Sequence, residues 1–297
     1  MKISHQDTIY AFDKTTTPVA KAKAPCHLVF DAIDAFGGQV KTENDILDGI
    51  DFSHVNPATG PVFIEGAQKG DVLAVHIQSI TLADKGCVVT APGLGLLPDA
   101  VTSKTTICPI HDGHFTFCGV DIPTNPMIGV IGVAPAGDPI PTGTPHDHGG
   151  NMDTHDIKAG STVYFPVFVE GALLAMGDLH AAMGDGEIGG TGIEVSGEIA
   201  VAVDVIKTFS LPCPLLKTDN ELAFLASAPT IDEAIKLSAH HMHDFLVNHT
   251  PLSAEEVMMF MSLCGQARIS QLVDPLLTAR FCMPREELRK FGLALAF

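Results

Sequence analysis

The spacing of apolar residues changes near residue 210, and that change limits the fold more than any single motif does. Before it, short apolar runs are broken every few residues by Gly, Pro, Asp and Asn. Within Asp71 to Leu82, Leu73, Val75 and Ile77 alternate with Val72, Ala74 and His76. Thr162 to Val169 is rich in β-branched and aromatic residues, and Ile199, Val201, Val203 and Val205 alternate through Glu198 to Ile206. A period of two puts successive side chains on opposite faces of a strand, and frequent strands with turn signals between them point to a sandwich or barrel. No strand–helix–strand rhythm appears, which disfavours a doubly wound parallel sheet. The stretch 134–150 carries Pro135, Gly137, Pro139, Pro141, Gly143 and Pro145. It reads as a long surface loop leading into a site.

After residue 210 the period becomes helical. Thr230-Ile231-Asp232-Glu233 resembles a capping box, followed by Ile231, Ala234, Ile235, Met242, Phe245 and Leu246 at helical spacing. A second box, Ser253-Ala254-Glu255-Glu256, opens a helix whose apolar face would hold Val257, Phe260, Met261, Cys264 and Ala267. Pro284-Arg285-Glu286-Glu287 starts a short third helix. The apolar terminus Leu293 to Phe297 is expected to be buried. The expected architecture is β-rich α+β: a β-sandwich or distorted barrel core with C-terminal helices packed against it. Residues 1–210 form the β-rich region that would carry the chemistry, and 211–297 a helical region packed into the same unit.

Composition narrows the function classes. With 297 residues, 46% hydrophobic and 18% charged, the chain is long and apolar enough to bury a sizeable core. A formal net charge of −18 disfavours nucleic acid and anionic membrane surfaces, which need clustered Lys and Arg. Seven cysteines without a Cys-x-x-Cys pair argue against a secreted disulfide framework and for the cytoplasm. The N-terminal Met1 to Asp7 lacks the apolar run of a signal peptide, and no stretch approaches a membrane span. Trp is absent and only two Tyr occur, which weakens an aromatic-lined sugar site.

The densest chemistry lies in Gly177-Asp178-Leu179-His180-Ala181-Ala182-Met183-Gly184-Asp185-Gly186-Glu187. On a strand running out of Gly171 through Leu173 and Ala175, Asp178 and His180 share a face. Together they could ligate one divalent metal; histidine–carboxylate ligation suits Zn²⁺ and other borderline cations. Glu187 follows in a glycine-flanked turn, where a carboxylate could act as general base, and Glu194 is a spare ligand. The plainer reading is that Asp in a Gly-rich turn serves turn geometry. A second cluster, Pro145 to Asp156, holds His146, His148, His155, Asp147, Asp153 and Asp156. His146 and His148 read as exposed loop residues, while Asn151 and Asp153 suit an ordered polar turn near the site. In a third, Asp31 and Asp34 would point to opposite faces of a strand, so one of them is structural. His240, His241 and His243 diverge around a helix and cannot converge on one ion. Neither a Gly-x-Ser-x-Gly elbow nor a P-loop occurs.

In order, Asp34 to Gln39, Asn56-Pro57-Ala58-Thr59-Gly60-Pro61-Val62, Glu65 to Asp71, Gly149 to Asp153, Gly160 to Val167, and Gly177 through Glu187 resemble the acetamidase/formamidase family, in its shorter, acetamidase-like branch. The resemblance runs from about residue 3 to 290; Met183 and Lys69 depart from the pattern without removing a candidate ligand. It implies a β-rich amidohydrolase that cleaves a small neutral amide, acetamide or formamide, to carboxylate and ammonia by way of a metal-activated water. It also implies a homo-oligomer with a divalent metal, Zn²⁺ first and Ca²⁺ as an alternative. The site residues then expected are Glu187 and Asp153 in catalysis, Asp34, Asp178, His180 and Glu194 on the metal, and Asn151 on the substrate. The alternatives are a metal-dependent binding protein or enzyme for a urea- or carbamate-like ligand on the same fold, and an assembly protein with a vestigial site.

Overall fold

The computed structural model describes residues 1–293. Strands make up 41% and helices 14%, in agreement with the β-rich expectation. Two large sheets, of nine and eleven strands among the described residues, pack face to face, and neither closes into a barrel. The nine-stranded sheet is built around Val72–Leu82, which pairs antiparallel with Gly197–Ile206 on one side and Thr162–Pro166 on the other. Alternation decides what each face meets. Leu73, Val75, Ile77, Val163, Phe165, Ile199, Val201 and Val203 join the main core, shared with Ile128, Ile131, Leu174, Met176 and Leu179 of the other sheet. Val72, Ala74 and Tyr164 point the opposite way, into a second core.

The helices cover that second face. The first, α1 (Ile231–His249), is capped by Thr230 Oγ1, which accepts from Glu233 N, and buries Ala234, Met242, Phe245 and Leu246. The next, α2 (Ala254–Cys264), carries the full reciprocal capping box of Ser253 and Glu256. α3 is the short helix Arg285–Lys290. The face drawn for α2 ends sooner than its spacing predicts. Gly265 caps the helix, and Ala267 lies on the strand Gln266–Gln271. A side chain at 265 would meet the Phe281 ring at 2.5 Å, so glycine lets the chain turn back against the neighbouring strand. Beyond residue 210 the chain also adds Leu215–Lys217, Glu221–Ala228, Gln266–Gln271 and Leu277–Pro284 to the nine-stranded sheet. Leu293 is buried, and 294–297, the rest of the apolar terminus, lie outside the described residues.

One irregularity in the eleven-stranded sheet positions the site. The strand Leu174–His180 keeps Met127–Gly132 along one edge, in a register that brackets Gly129 opposite Asp178. On its other edge the neighbour changes. Gly177 pairs with Ala58 of Ala58–Glu65, whereas Leu179 and His180 pair with Val195 and Glu194. Asp178 falls at that fork and takes φ 53°.

Candidate metal centre

Five side chains converge at the fork. His180 Nε2 lies 3.2 Å from Glu194 Oε1, its cross-strand partner, and 3.3 Å from Asp178 Oδ1. It lies 3.9 Å from Asp153 Oδ1 and 4.0 Å from Glu187 Oε1. Asp153 comes from the segment after the strand Gly149–Asn151, and Glu187 from the turn in which Glu187 N donates to Gly184 O and Gly190 N to Glu187 O. All five are buried, between 0% and 7% exposed. Asp153, Asp178 and Glu187 all hold a left-handed backbone (φ 37°, 53° and 45°), a conformation that costs a residue with a Cβ about 1–2 kcal/mol. Its recurrence at three of the five positions shows that the surrounding structure dictates where these carboxylates point.

The electrostatics are unbalanced. Four carboxylates face one imidazole, and neither lysine nor arginine lines the adjoining cavity. Burial, then repulsion from Glu187 and Asp178, holds Asp153 well above the usual carboxylate range. Burial likewise raises Glu187 and Glu194, with His180 opposing in both. Burial pulls His180 down, but Glu194 and Asp178 outweigh it and hold the imidazole well above its ordinary value. Asp153 Oδ1 and Oδ2, Asp178 Oδ1, Glu194 Oε2 and His180 Nδ1 are buried without a hydrogen-bond partner. Buried polar atoms are seldom left so, and a cluster of them asks for a ligand.

A divalent cation fits. Two triads share His180, Asp178–His180–Glu194 and Asp153–His180–Glu187, and in each the potential ligand atoms lie within 4.8 Å of one another. Ligands held at about 2.0–2.2 Å from one ion lie at most about 4.4 Å apart, and His180 Nε2 is 3.2–4.0 Å from a carboxylate oxygen of each of the four acids. Space is kept for them by glycine. A Cβ at Gly129 would collide with Asp153 Oδ1 and come within 2.5 Å of Asp178 Oδ2, and one at Gly192 would lie 2.6 Å from His180 Nδ1.

The other expected residues divide. Asn151 is at the site: its Nδ2 donates to Asp274 Oδ1 at 3.3 Å, and its Oδ1 is buried and unpartnered. Asp34 belongs to neither triad. Its Oδ1 accepts from Phe36 N and Gly38 N, and Ser196 Oγ donates to its Oδ2, so its carboxylate organises a turn. Asp31 pairs with His5 at 2.7 Å. Asp185, also in the Asp178 to Glu187 stretch, is drawn away by Arg280, whose Nη2 donates to both its oxygens at 2.8 and 3.0 Å. His155 and Asp156 join that network at 3.1 and 3.2 Å. His146 is exposed, as its loop suggests, but His148 is not. It is 1% exposed and set edge-on to Phe12, where burial drives its pKa down to about 3. The 134–150 stretch surfaces only in part: at Ile140–Pro141 it pairs with Ala11–Phe12, then turns inward. On α1, His240 is exposed, His241 packs on Phe224 and His243 contacts Ala254 O.

Asp274 was not visible in the sequence. It sits in the turn after the strand Gln266–Gln271, where Gln271 Oε1 accepts from Val273 N and Asp274 N. Its Oδ2 is buried and unpartnered, and burial together with Asp153 and Asp178 raises its pKa well above normal. Locally it is one Asp before Pro275, an ordinary turn signal.

A cavity of about 140 Å³ opens onto Asp178, His180, Glu187, Glu194, Asn151 and Asp274. It is small beside the roughly 300–1,000 Å³ of typical ligand pockets. Met183 lines a separate, open apolar recess that also reaches Glu187.

Known proteins share this arrangement of sequence and fold. The sequence profile of the Acetamidase/Formamidase family matches residues 11–142 and 139–275. A formamidase of Methylophilus methylotrophus is 28% identical over 64% of this chain, and an acetamidase of Mycolicibacterium smegmatis 29% identical over 57%. The matches span 61% and 58% of those two relatives, so the chain corresponds to about three fifths of their length. The crystal structure of an acetamidase from Bacillus halodurans superposes with a TM-score of 0.97 at 45% identity, covering 99% of this chain and 100% of that one. A γ-lactamase from Delftia acidovorans shares the fold at a TM-score of 0.68 and 22% identity, covering 94% and 89%.

Gly129→Ala tests the cradle. The methyl group displaces two carboxylates, so divalent-cation affinity measured by calorimetry should fall about 10–100-fold, the usual cost of disturbing a ligand's support. Cooperative unfolding should persist. Unchanged affinity would mean that these carboxylates are not ligands.

Proposed function

The chain belongs to the acetamidase/formamidase family, and from that premise we propose that it hydrolyses the C–N bond of short, neutral aliphatic amides, giving a carboxylate and ammonia. The observation that carries this reading is the buried cluster of acids around His180, without a lysine or arginine in its lining, facing a cavity of about 140 Å³. Asp178, His180 and Glu194 would hold a divalent cation, Zn²⁺ or alternatively Ca²⁺, with Asp153 at its edge. Such an ion supplies Lewis acidity and, for Zn²⁺, lowers the pKa of water to about 7.

Each remaining residue has a task in that reaction. Glu187 takes a proton from the attacking water and passes it to the departing nitrogen, without which an amide anion would have to leave. A desolvated carboxylate with a raised pKa suits that exchange near neutral pH. Asn151 Oδ1, buried and unpartnered, accepts from the substrate –NH₂. Asp274 holds Asn151 in place through its Nδ2. Asp153 adds negative charge beside Glu187 and Asp178, which would draw a cation to the cluster and which raises its own pKa.

The same reading takes the protein as a cytoplasmic homo-oligomer. Free cysteines support a reducing compartment, and Met258, Met259 and Leu263, exposed along α2, support self-association. None of the described helices is long and apolar enough to cross a membrane.

Glu187→Gln should lower kcat for acetamide or formamide by about 10²–10⁴-fold, the typical worth of a general base. Metal content should match the wild type; full activity with metal retained would remove Glu187 from this role. The raised carboxylates add a second expectation. Their raised pKa values mean that protons compete with a cation for them, so binding displaces protons. Apparent affinity should therefore rise with pH, and calorimetry in two buffers of different ionisation enthalpy should show proton release. Binding that is independent of pH, with no protons released, would contradict it.

A further inference from the structure

The cavity has a lining of two main kinds. One is the acid cluster. The other is apolar and comes from a different part of the chain: Ala35, Phe36, Leu47, Phe52, Val55 and Leu94. We propose that this wall is the acyl-chain site, and that Leu47 and Leu94 set the longest chain the protein accepts. The proposal rests on the amide-hydrolysis reading and adds to it a length limit and the residues that impose it.

Three observations support it. First, three of the wall residues belong to a small cluster of their own, in which Phe36 and Leu47 pack with Cys87, Val89 and Ala91, and Leu94 packs against them. It is separate from the core that holds the two sheets together, so it can define a ligand without defining the fold. Second, Leu94 is held against the turn that presents the base. Leu96 N donates to Ile188 O at 2.9 Å, and a Cβ at Gly190 would lie 2.6 Å from Leu94 Cγ. A group bound next to Glu187 therefore has Leu94 beside it. Third, the volume is short. At about 140 Å³ it lies well below the roughly 300–1,000 Å³ of typical ligand pockets, which suits an amide head and a short chain.

The wall also excludes charge. Its residues are apolar and the rest of the lining is largely acidic, so an acyl chain ending in a carboxylate meets desolvation by the one and repulsion by the other. The substrate class is thus a primary amide with an uncharged, unfunctionalised chain.

The test is a chain-length series from formamide to hexanamide on the metal-loaded protein. Straight-chain hydroxamates of the same lengths serve as uncleaved ligands. Each methylene that fits should raise kcat/KM or affinity about fourfold, which is about 0.8 kcal/mol converted at 1.36 kcal/mol per tenfold. The rise should end by about four carbons and reverse beyond. Leu47→Ala and Leu94→Ala should move the maximum to longer chains. Phe52→Ala, at a position 63% exposed, should do so with little risk to folding. Leu263→Ala, 82% exposed on α2, should leave the maximum where it is. Succinamate, a four-carbon chain ending in carboxylate, should neither react nor compete. A maximum that stays put in all three wall variants overturns the proposal. If no amide is cleaved but hydroxamate affinity follows chain length and shifts with Leu47→Ala, the wall stands and the hydrolysis reading falls.

Discussion

The structure depends on one unfavourable arrangement: four buried carboxylates around a single imidazole, with neither lysine nor arginine among the described residues that line the adjoining cavity. Removing an ion from water costs several kcal/mol even after relaxation, and His180 can offset only one such charge. The penalty shows in the raised pKa values of Asp153, Glu187 and Glu194 and in the unpartnered oxygens of the cluster. A protein that only needed to fold would gain from replacing such a cluster with apolar residues. Its presence at the base of a small cavity is the physical reason to read it as a cation site.

The sheets make the arrangement possible. A regular ladder would have paired Asp178 on both sides and sent its side chain to one face. Instead the neighbouring strand changes at that residue, the backbone turns left-handed, and Gly129 across the ladder leaves a gap in which two carboxylates meet. The helices on the outer face supply none of the five converging side chains. The hairpin that follows them reaches the site, because it returns Asp274 to the cavity and Arg280 to the loop before Glu187.

Much of this was legible in the sequence, for physical reasons that differ by element. Strand alternation through Val72–Leu82 and Gly197–Ile206 follows from burial on a pleated sheet, and the boxes at Thr230 and Ser253 follow from unsatisfied helix N-terminal amides. Asp178, His180, Glu187 and Glu194 stood out by residue type within a short span, and the structure brings them together. Asn151 and Asp153 suited a polar turn near the site by their place after two glycines, and the resemblance to a family implied their roles. What stayed hidden depends on distant contacts. Asp274 approaches from a hairpin more than one hundred residues away from Asn151, its hydrogen-bond partner. His148 looks exposed in a Pro- and Gly-rich stretch, yet it is buried against Phe12, from the chain's beginning. The sequence suggests Asp34 as a ligand, and it does not show that the amides of Phe36 and Gly38 both donate to its Oδ1.

The most direct measurement is anomalous diffraction from crystals of the protein soaked with Zn²⁺. The expected result is a strong peak about 2.0–2.2 Å from His180 Nε2 and from at least two of the carboxylates of Asp178, Glu194 and Asp153. No peak within the cluster, for Zn²⁺ or in a parallel Ca²⁺ soak, would contradict the account at its centre.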